Sequence, residues 1–231
     1  MAYISFQPKD FFSPTLYTGT GASNAITGVG FQPDLCWIKG RNYAYDYGLV
    51  DSVRGVQETI KSNDTAAEST LSTGLTAFGA DGFTVISDNI FNGGGGPLYA
   101  SWNWKAGTTT GIAGSPSITP SSYSFNQTSG FSIIAYTGNG TAGATIPHGL
   151  GVVPDMVIVK KISSTSDWFV YHSKIDATAP QDYYLSLNGT AARTNNNGEW
   201  YDTAPTSTLV TLGANTTTNT ATFIAYCFAS I

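Results

Sequence analysis

Gly28-Val29-Gly30-Phe31-Gln32-Pro33-Asp34-Leu35-Cys36-Trp37-Ile38-Lys39 returns later in the chain as Gly149-Leu150-Gly151-Val152-Val153-Pro154-Asp155-Met156-Val157-Ile158-Val159-Lys160. In both copies a Gly-x-Gly turn leads into Pro-Asp, and Pro-Asp opens a short apolar run closed by lysine. Proline fixes φ and cannot donate to a sheet ladder, so it suits the mouth of a strand. The runs themselves are too short for typical helices, and the second is rich in β-branched residues. Leu35 to Lys39 and Met156 to Lys160 are therefore read as strands.

Working outward, three more matches follow in the same order and at a near-constant offset. Leu16-Tyr17-Thr18-Gly19-Thr20-Gly21 answers to Ala135-Tyr136-Thr137-Gly138-Asn139-Gly140. Ile60-Lys61-Ser62-Asn63-Asp64-Thr65-Ala66-Ala67 answers to Leu185-Ser186-Leu187-Asn188-Gly189-Thr190-Ala191-Ala192. Tyr99-Ala100-Ser101-Trp102-Asn103-Trp104 answers to Phe223-Ile224-Ala225-Tyr226-Cys227-Phe228. An internal repeat of this kind means one ancestral unit used twice. The expected fold is all-β: two tandem, internally duplicated antiparallel β-sandwich units of jelly-roll-like form, over 15–107 and 131–231. A linker rich in Thr, Ser, Gly and Pro covers 108–130, and an N-terminal arm covers 1–14. Val53, Val56 and Ile60 have helical spacing, but their counterpart Tyr183-Tyr184-Leu185-Ser186-Leu187 favours strand.

Composition agrees. Charged residues make up 11 % of the chain, against about 25 % in ordinary globular proteins. Thr, Ser and Asn fill the polar places, and these suit pleated surfaces and tight turns. Net charge is −5 and Lys160-Lys161 is the sole adjacent basic pair, so no basic patch exists to displace phosphate counterions and nucleic acid is not expected as a partner. No apolar stretch reaches the roughly 18 residues that cross a bilayer, and the first residues lack a signal-peptide pattern. Assembly in a cytoplasm is expected, without membrane insertion. Cys36 and Cys227, each inside an apolar run, are read as buried free thiols.

The catalytic inventory is thin. His148 lies in a turn that the first copy builds without histidine. His172 and Ser173 are strand neighbours and so face opposite sides. The three glutamates, Glu58, Glu68 and Glu199, form no visible pair, and most aspartates precede or follow turn residues. No catalytic residue, cofactor or metal site is expected. What remains is aromatic surface: Tyr43, Tyr45 and Tyr47 after Arg41, and Trp200 and Tyr201 after an Asn-rich turn. Such residues stack on sugar rings or sit at protein interfaces. Trp102 and Trp104 share one face of a strand, with Ser101 and Asn103 on the other. Phe6, Phe11 and Phe12 in the arm mark a contact with a neighbour.

The motifs Tyr136-Thr137-Gly138, His148-Gly149-Leu150-Gly151, Pro154-Asp155 with its strand, and Val170-Tyr171-His172 resemble a repeat of tailed-bacteriophage virion proteins, especially marine and cyanobacterial ones. Phe31-Gln32-Pro33-Asp34, Asp51-Ser52-Val53-Arg54-Gly55 and Trp102-Asn103-Trp104-Lys105-Ala106-Gly107 are similar to the same family. The resemblance spans nearly the whole chain. It implies a structural component of the particle, with other virion proteins as partners and a homo-oligomer, of the trimeric kind common among particle proteins, as the expected state; the thin catalytic inventory makes it a non-enzymatic one. Three placements stay open: a short tail fibre that attaches to host surface glycan, a protein decorating the capsid, and, as a different class, a carbohydrate-binding module. In the first two, Phe6, Phe11 and Phe12 would anchor the chain to the particle.

Overall fold

The computed structural model describes residues 7–230. The fold is all-β, and the chain divides into two compact units. One takes in the chain up to Lys61 together with Ser69–Ala106; the other takes in Ser62–Glu68 and the chain from Gly107.

Unit 1 holds β1 (Phe12–Thr18), β2 (Asn24–Thr27), β3 (Leu35–Gly40), β4 (Tyr47–Asp51), β5 (Glu58–Lys61), β6 (Ser69–Thr70), β7 (Leu75–Gly79), β8 (Gly82–Val85), a one-turn helix α1 (Asn89–Asn92) and β9 (Leu98–Trp104). An antiparallel sheet of six runs β1-β9-β3-β4-β5-β6, and a second sheet of three runs β2-β8-β7. The core draws on both: Cys36, Ile38, Val50 and Tyr99 from the larger sheet meet Ile26, Leu75, Phe83 and Val85 from the smaller. Two sheets packed over one core make a sandwich. At the β7–β8 turn, Gly82 has φ of +150° and a Cβ there would fall 1.9 Å from the Ile26 carbonyl oxygen. No other residue fits.

Unit 2 holds β10 (Ser122–Asn126), β11 (Phe131–Thr137), β12 (Thr145–Pro147), β13 (Met156–Lys161), β14 (Trp168–His172), β15 (Tyr183–Ser186), β16 (Thr194–Asn195), β17 (Leu209–Thr211) and β18 (Thr222–Phe228). Its main sheet runs β10-β11-β18-β13-β14-β15-β16, with β12 and β17 paired separately. Apart from β10, this is the strand order of unit 1.

The register matches as well. Trp37 faces Trp102 where Ile158 faces Tyr226, and Leu49 faces Ile60 where Val170 faces Leu185. Tyr17 stacks on Tyr99 at 5.1 Å and 13°, and Tyr136 stacks on Phe223 at 5.1 Å and 9°. The Pro-Asp motif has the same job in each unit. The amide of Asp34 donates to the Trp104 carbonyl and that of Asp155 to the Phe228 carbonyl, both at 2.8 Å. The carboxylates then accept the hydroxyls of Ser52 at 2.6 Å and Ser173 at 2.7 Å. Each aspartate thereby ties the start of one strand to the ends of two others. Bonds from Ser230 and Ser173 hold the Asp155 carboxyl below its ordinary range.

Several expected boundaries move. β1 begins at Phe12, so a limit at residue 15 would cut a strand. The stretch 108–130 is no bare linker, because β10 lies in it and pairs with β11. Residues Ser62–Glu68 pack with unit 2: the Lys160 ammonium donates to the Thr65 and Ser166 carbonyls at 2.8 and 2.6 Å, and the Trp168 indole to the Asp64 carbonyl at 3.1 Å. The segment with helical spacing ends in strand β5. Cys36 and Cys227 are free and buried, and burial pushes both thiols up, Cys227 to about 12.

Candidate functional site

Strand β9 is where composition and exposure disagree. Its alternation puts Tyr99, Ser101 and Asn103 inward, all buried, and Leu98, Trp102 and Trp104 on the outer face. Polar groups stand inside at least cost where they find partners, as the Asn103 amide nitrogen does although its Oδ1 has none. The Asn103 amide donates to the Ser13 carbonyl at 2.8 Å and to the Ser101 hydroxyl at 3.1 Å, and that hydroxyl reaches the Thr15 carbonyl at 3.4 Å. These bonds run along β1, which pairs with β9 throughout.

The consequence appears on the other face. Trp37 on β3 stands opposite Trp102 on β9, and Trp104 stands opposite both Leu35 and Phe12. Trp37, Trp102 and Trp104 line a shallow open trough of about 290 Å³. Trp102 is 36 % exposed, and the other two are half-buried. Trp104 is propped from one side by the Phe12 ring at 4.9 Å and lies 6.5 Å from the Trp37 ring, tilted by 37°. Exposed Leu98 on β9 and exposed Leu16 on β1 lie on the same outer face. Among the described residues no charged side chain lines the trough. The nearest cation along β3, Lys39, leans towards β4, its ammonium 4.1 Å from the Tyr47 ring centre and 3.1 Å from the Tyr45 carbonyl.

The residues expected to make contacts have other places. Tyr43 and Tyr45 stack at 5.3 Å with planes 6° apart; Tyr43 is exposed, while Tyr45 packs against the core of unit 1. Tyr47 is exposed beneath Lys39. Trp200 is a correction: it is 1 % exposed, sits in the core of unit 2 and meets Tyr171 edge to face at 6.0 Å. A large indole in a well-packed core gains more from burial than an Asn-rich approach suggests. Tyr201 beside it is exposed, in a left-handed turn with φ of +51°. The five residues thus divide between the two units. In the arm, Phe6 lies outside the described residues. Phe11 is half-buried with Lys105 5.9 Å from its ring centre, and Phe12 is the first residue of β1. Both belong to the sandwich and not to a free arm.

Structural bonds hold the titratable groups that could suggest chemistry, except that Oε2 of Glu199 is buried without a partner. His148 is buried; Leu150 N–H donates to its Nδ1 at 3.3 Å, so Nε2 carries the proton and donates to the Thr206 carbonyl at 3.1 Å. Burial lowers its pKa. Ser173 bonds Asp155, while Nδ1 of His172 accepts from the Lys174 amide. Glu199 is buried, accepts from Asn215 at 2.7 Å, and burial raises its pKa. Among the described residues no three His, Cys, Asp or Glu side chains gather as metal ligands, and no helix is long and apolar enough to cross a membrane.

Fold and surface together define a two-unit antiparallel β-sandwich protein with an exposed tryptophan trough on its first unit. The chain belongs to the DUF7483 family, a domain of unknown function whose model matches residues 7–231. No curated protein and no solved structure matches it.

Proposed function

We propose that this protein is a non-enzymatic adhesion component on the surface of a tailed-phage particle, and that it contacts host surface glycan through the trough of Trp37, Trp102 and Trp104. The trough carries the adhesion half of this reading. Three indoles on the open face of a rigid sheet are an exception to the rule that large apolar side chains go inside, and such clusters mark contact surfaces. Aromatic faces suit the C–H faces of sugar rings. The particle placement is supported by the motif resemblance, and the absence of catalysis by the structural bonds that occupy His148, Asp155 and Ser173. The sheet order and register shared by the two units support descent from one duplicated ancestor.

Labelled protein mixed with host cells tests the reading. Binding should be strong for the parent chain and lost in Trp37→Ala/Trp102→Ala, with a cooperative urea-unfolding transition retained. Equal binding by the double variant overturns the adhesion role. Particles lacking the protein that adsorb normally but break on heating would instead favour capsid decoration.

A further inference from the structure

The chemistry of the trough narrows what it can hold. Among the described residues its lining is three indoles. A sugar hydroxyl pressed against an indole face loses its water and gains no partner, whereas a C–H or methyl group loses nothing. A carboxylate or sulfate would be worse placed, since among the described residues no cation lines the trough and Lys39 is turned to Tyr45 and Tyr47. The volume of about 290 Å³ lies at the foot of the range for small-molecule sites, roughly 300–1,000 Å³. One or two sugar rings fill it.

Resting on the adhesion reading, we propose that the trough selects an uncharged sugar epitope of one or two pyranose rings whose buried edge is methyl, as in 6-deoxy sugars. The ring lies across Trp37 and Trp102, which face each other on neighbouring strands, with its C6 against Trp104. Hydroxyls on the far side stay in water. Phe12 takes part indirectly, as a positioning residue that fixes the tilt of Trp104.

Methyl glycosides that differ at C6 alone provide the test. For each of the gluco, galacto and manno configurations, the 6-deoxy compound, its hydroxymethyl parent and the corresponding uronate are titrated against the full chain and followed by NMR. The expected order is 6-deoxy first, its parent about tenfold weaker, and the uronate weakest in at least one configuration. All binding should vanish in Trp102→Ala, while Phe12→Leu should weaken the 6-deoxy compound more than its parent. Uronates that bind as well as or better than the 6-deoxy sugars would overturn the selectivity while leaving glycan binding intact. If no glycoside binds and the trough indoles respond only to lipid vesicles or to another protein, both this inference and the adhesion reading fall.

Discussion

Trp102 and Tyr226 occupy the same register position in the two main sheets, opposite Trp37 and Ile158, yet Trp102 is 36 % exposed and Tyr226 only 1 %. The shared framework therefore offers its outer aromatic position to solvent in unit 1 and buries it in unit 2. One glycan per chain is the expected stoichiometry in calorimetric titration, and two per chain would contradict the assignment.

The same pair separates binding from stability. Tyr226→Ala removes a buried ring and should cost about 3–5 kcal/mol in urea unfolding, by analogy with other large-to-small core changes, with glycan affinity kept by the folded fraction. Trp102→Ala should change stability by less than about 1 kcal/mol and abolish binding. Reversed outcomes would mean that the exposed and buried roles have been misassigned.

Tyr17 and Tyr136 give a second matched pair. Each stacks on the strand beside it, and each hydroxyl donates to a carbonyl, of Phe91 at 2.5 Å and of Thr216 at 2.8 Å. Replacing either by Phe keeps the stack and leaves a carbonyl unsatisfied, at about 1–3 kcal/mol. Denaturant midpoints of Tyr17→Phe and Tyr136→Phe should fall by similar amounts. A loss confined to one unit would count against equivalent architecture.

His148 makes stability fall in mild acid. Its folded pKa is lowered by burial, so below about pH 6.5 the unfolded chain takes up a proton that the folded one refuses. Stability should drop as pH falls from 6.5 towards the folded value, by at most about 1.4 kcal/mol per pH unit. The slope should be shallower in His148→Gln, measured by urea unfolding at pH 5.0 to 7.5. An unchanged slope would show that His148 takes up its proton equally in the folded and unfolded chain.

Lys160 acts in the alkaline range. Burial brings its pKa down from 10.5 to about 8, so between these values the unfolded chain holds a proton that the folded chain has released. Its contribution to stability rises with pH across that window, while the raised thiols of Cys36 and Cys227 pull the other way. Comparing Lys160→Met with the parent isolates the lysine: the difference should drift in favour of the parent from pH 8 to 10. A difference independent of pH would remove Lys160 as the cause.

Much of the fold was legible in the sequence because its cues are local. Pro-Asp ahead of a short apolar run marks a strand start whatever lies around it, and the two copies vouch for each other. The strand at Ser122–Asn126 was hidden by flanking Pro, Ser and Thr, since an edge strand needs only one partner and tolerates a polar composition. The site was half legible. Period two places Trp102 and Trp104 on one face, but it does not say which face is outside. Apolar-inside reasoning points the wrong way, because Ser101 and Asn103 find partners within the sandwich that become visible only once β1 is laid beside β9. Trp200 misleads for the converse reason: an Asn-rich turn looks exposed, yet it delivers the indole inward.

The chain has five tryptophans, and their indole N–H signals provide the most direct check of the central claim. On titration with purified host surface polysaccharide, the resonances of Trp37, Trp102 and Trp104 should shift together, while those of buried Trp168 and Trp200 stay still. Shifts at Trp168 or Trp200 alone, or none at all under saturating polysaccharide, would contradict the assignment of the unit 1 sheet face as the binding surface.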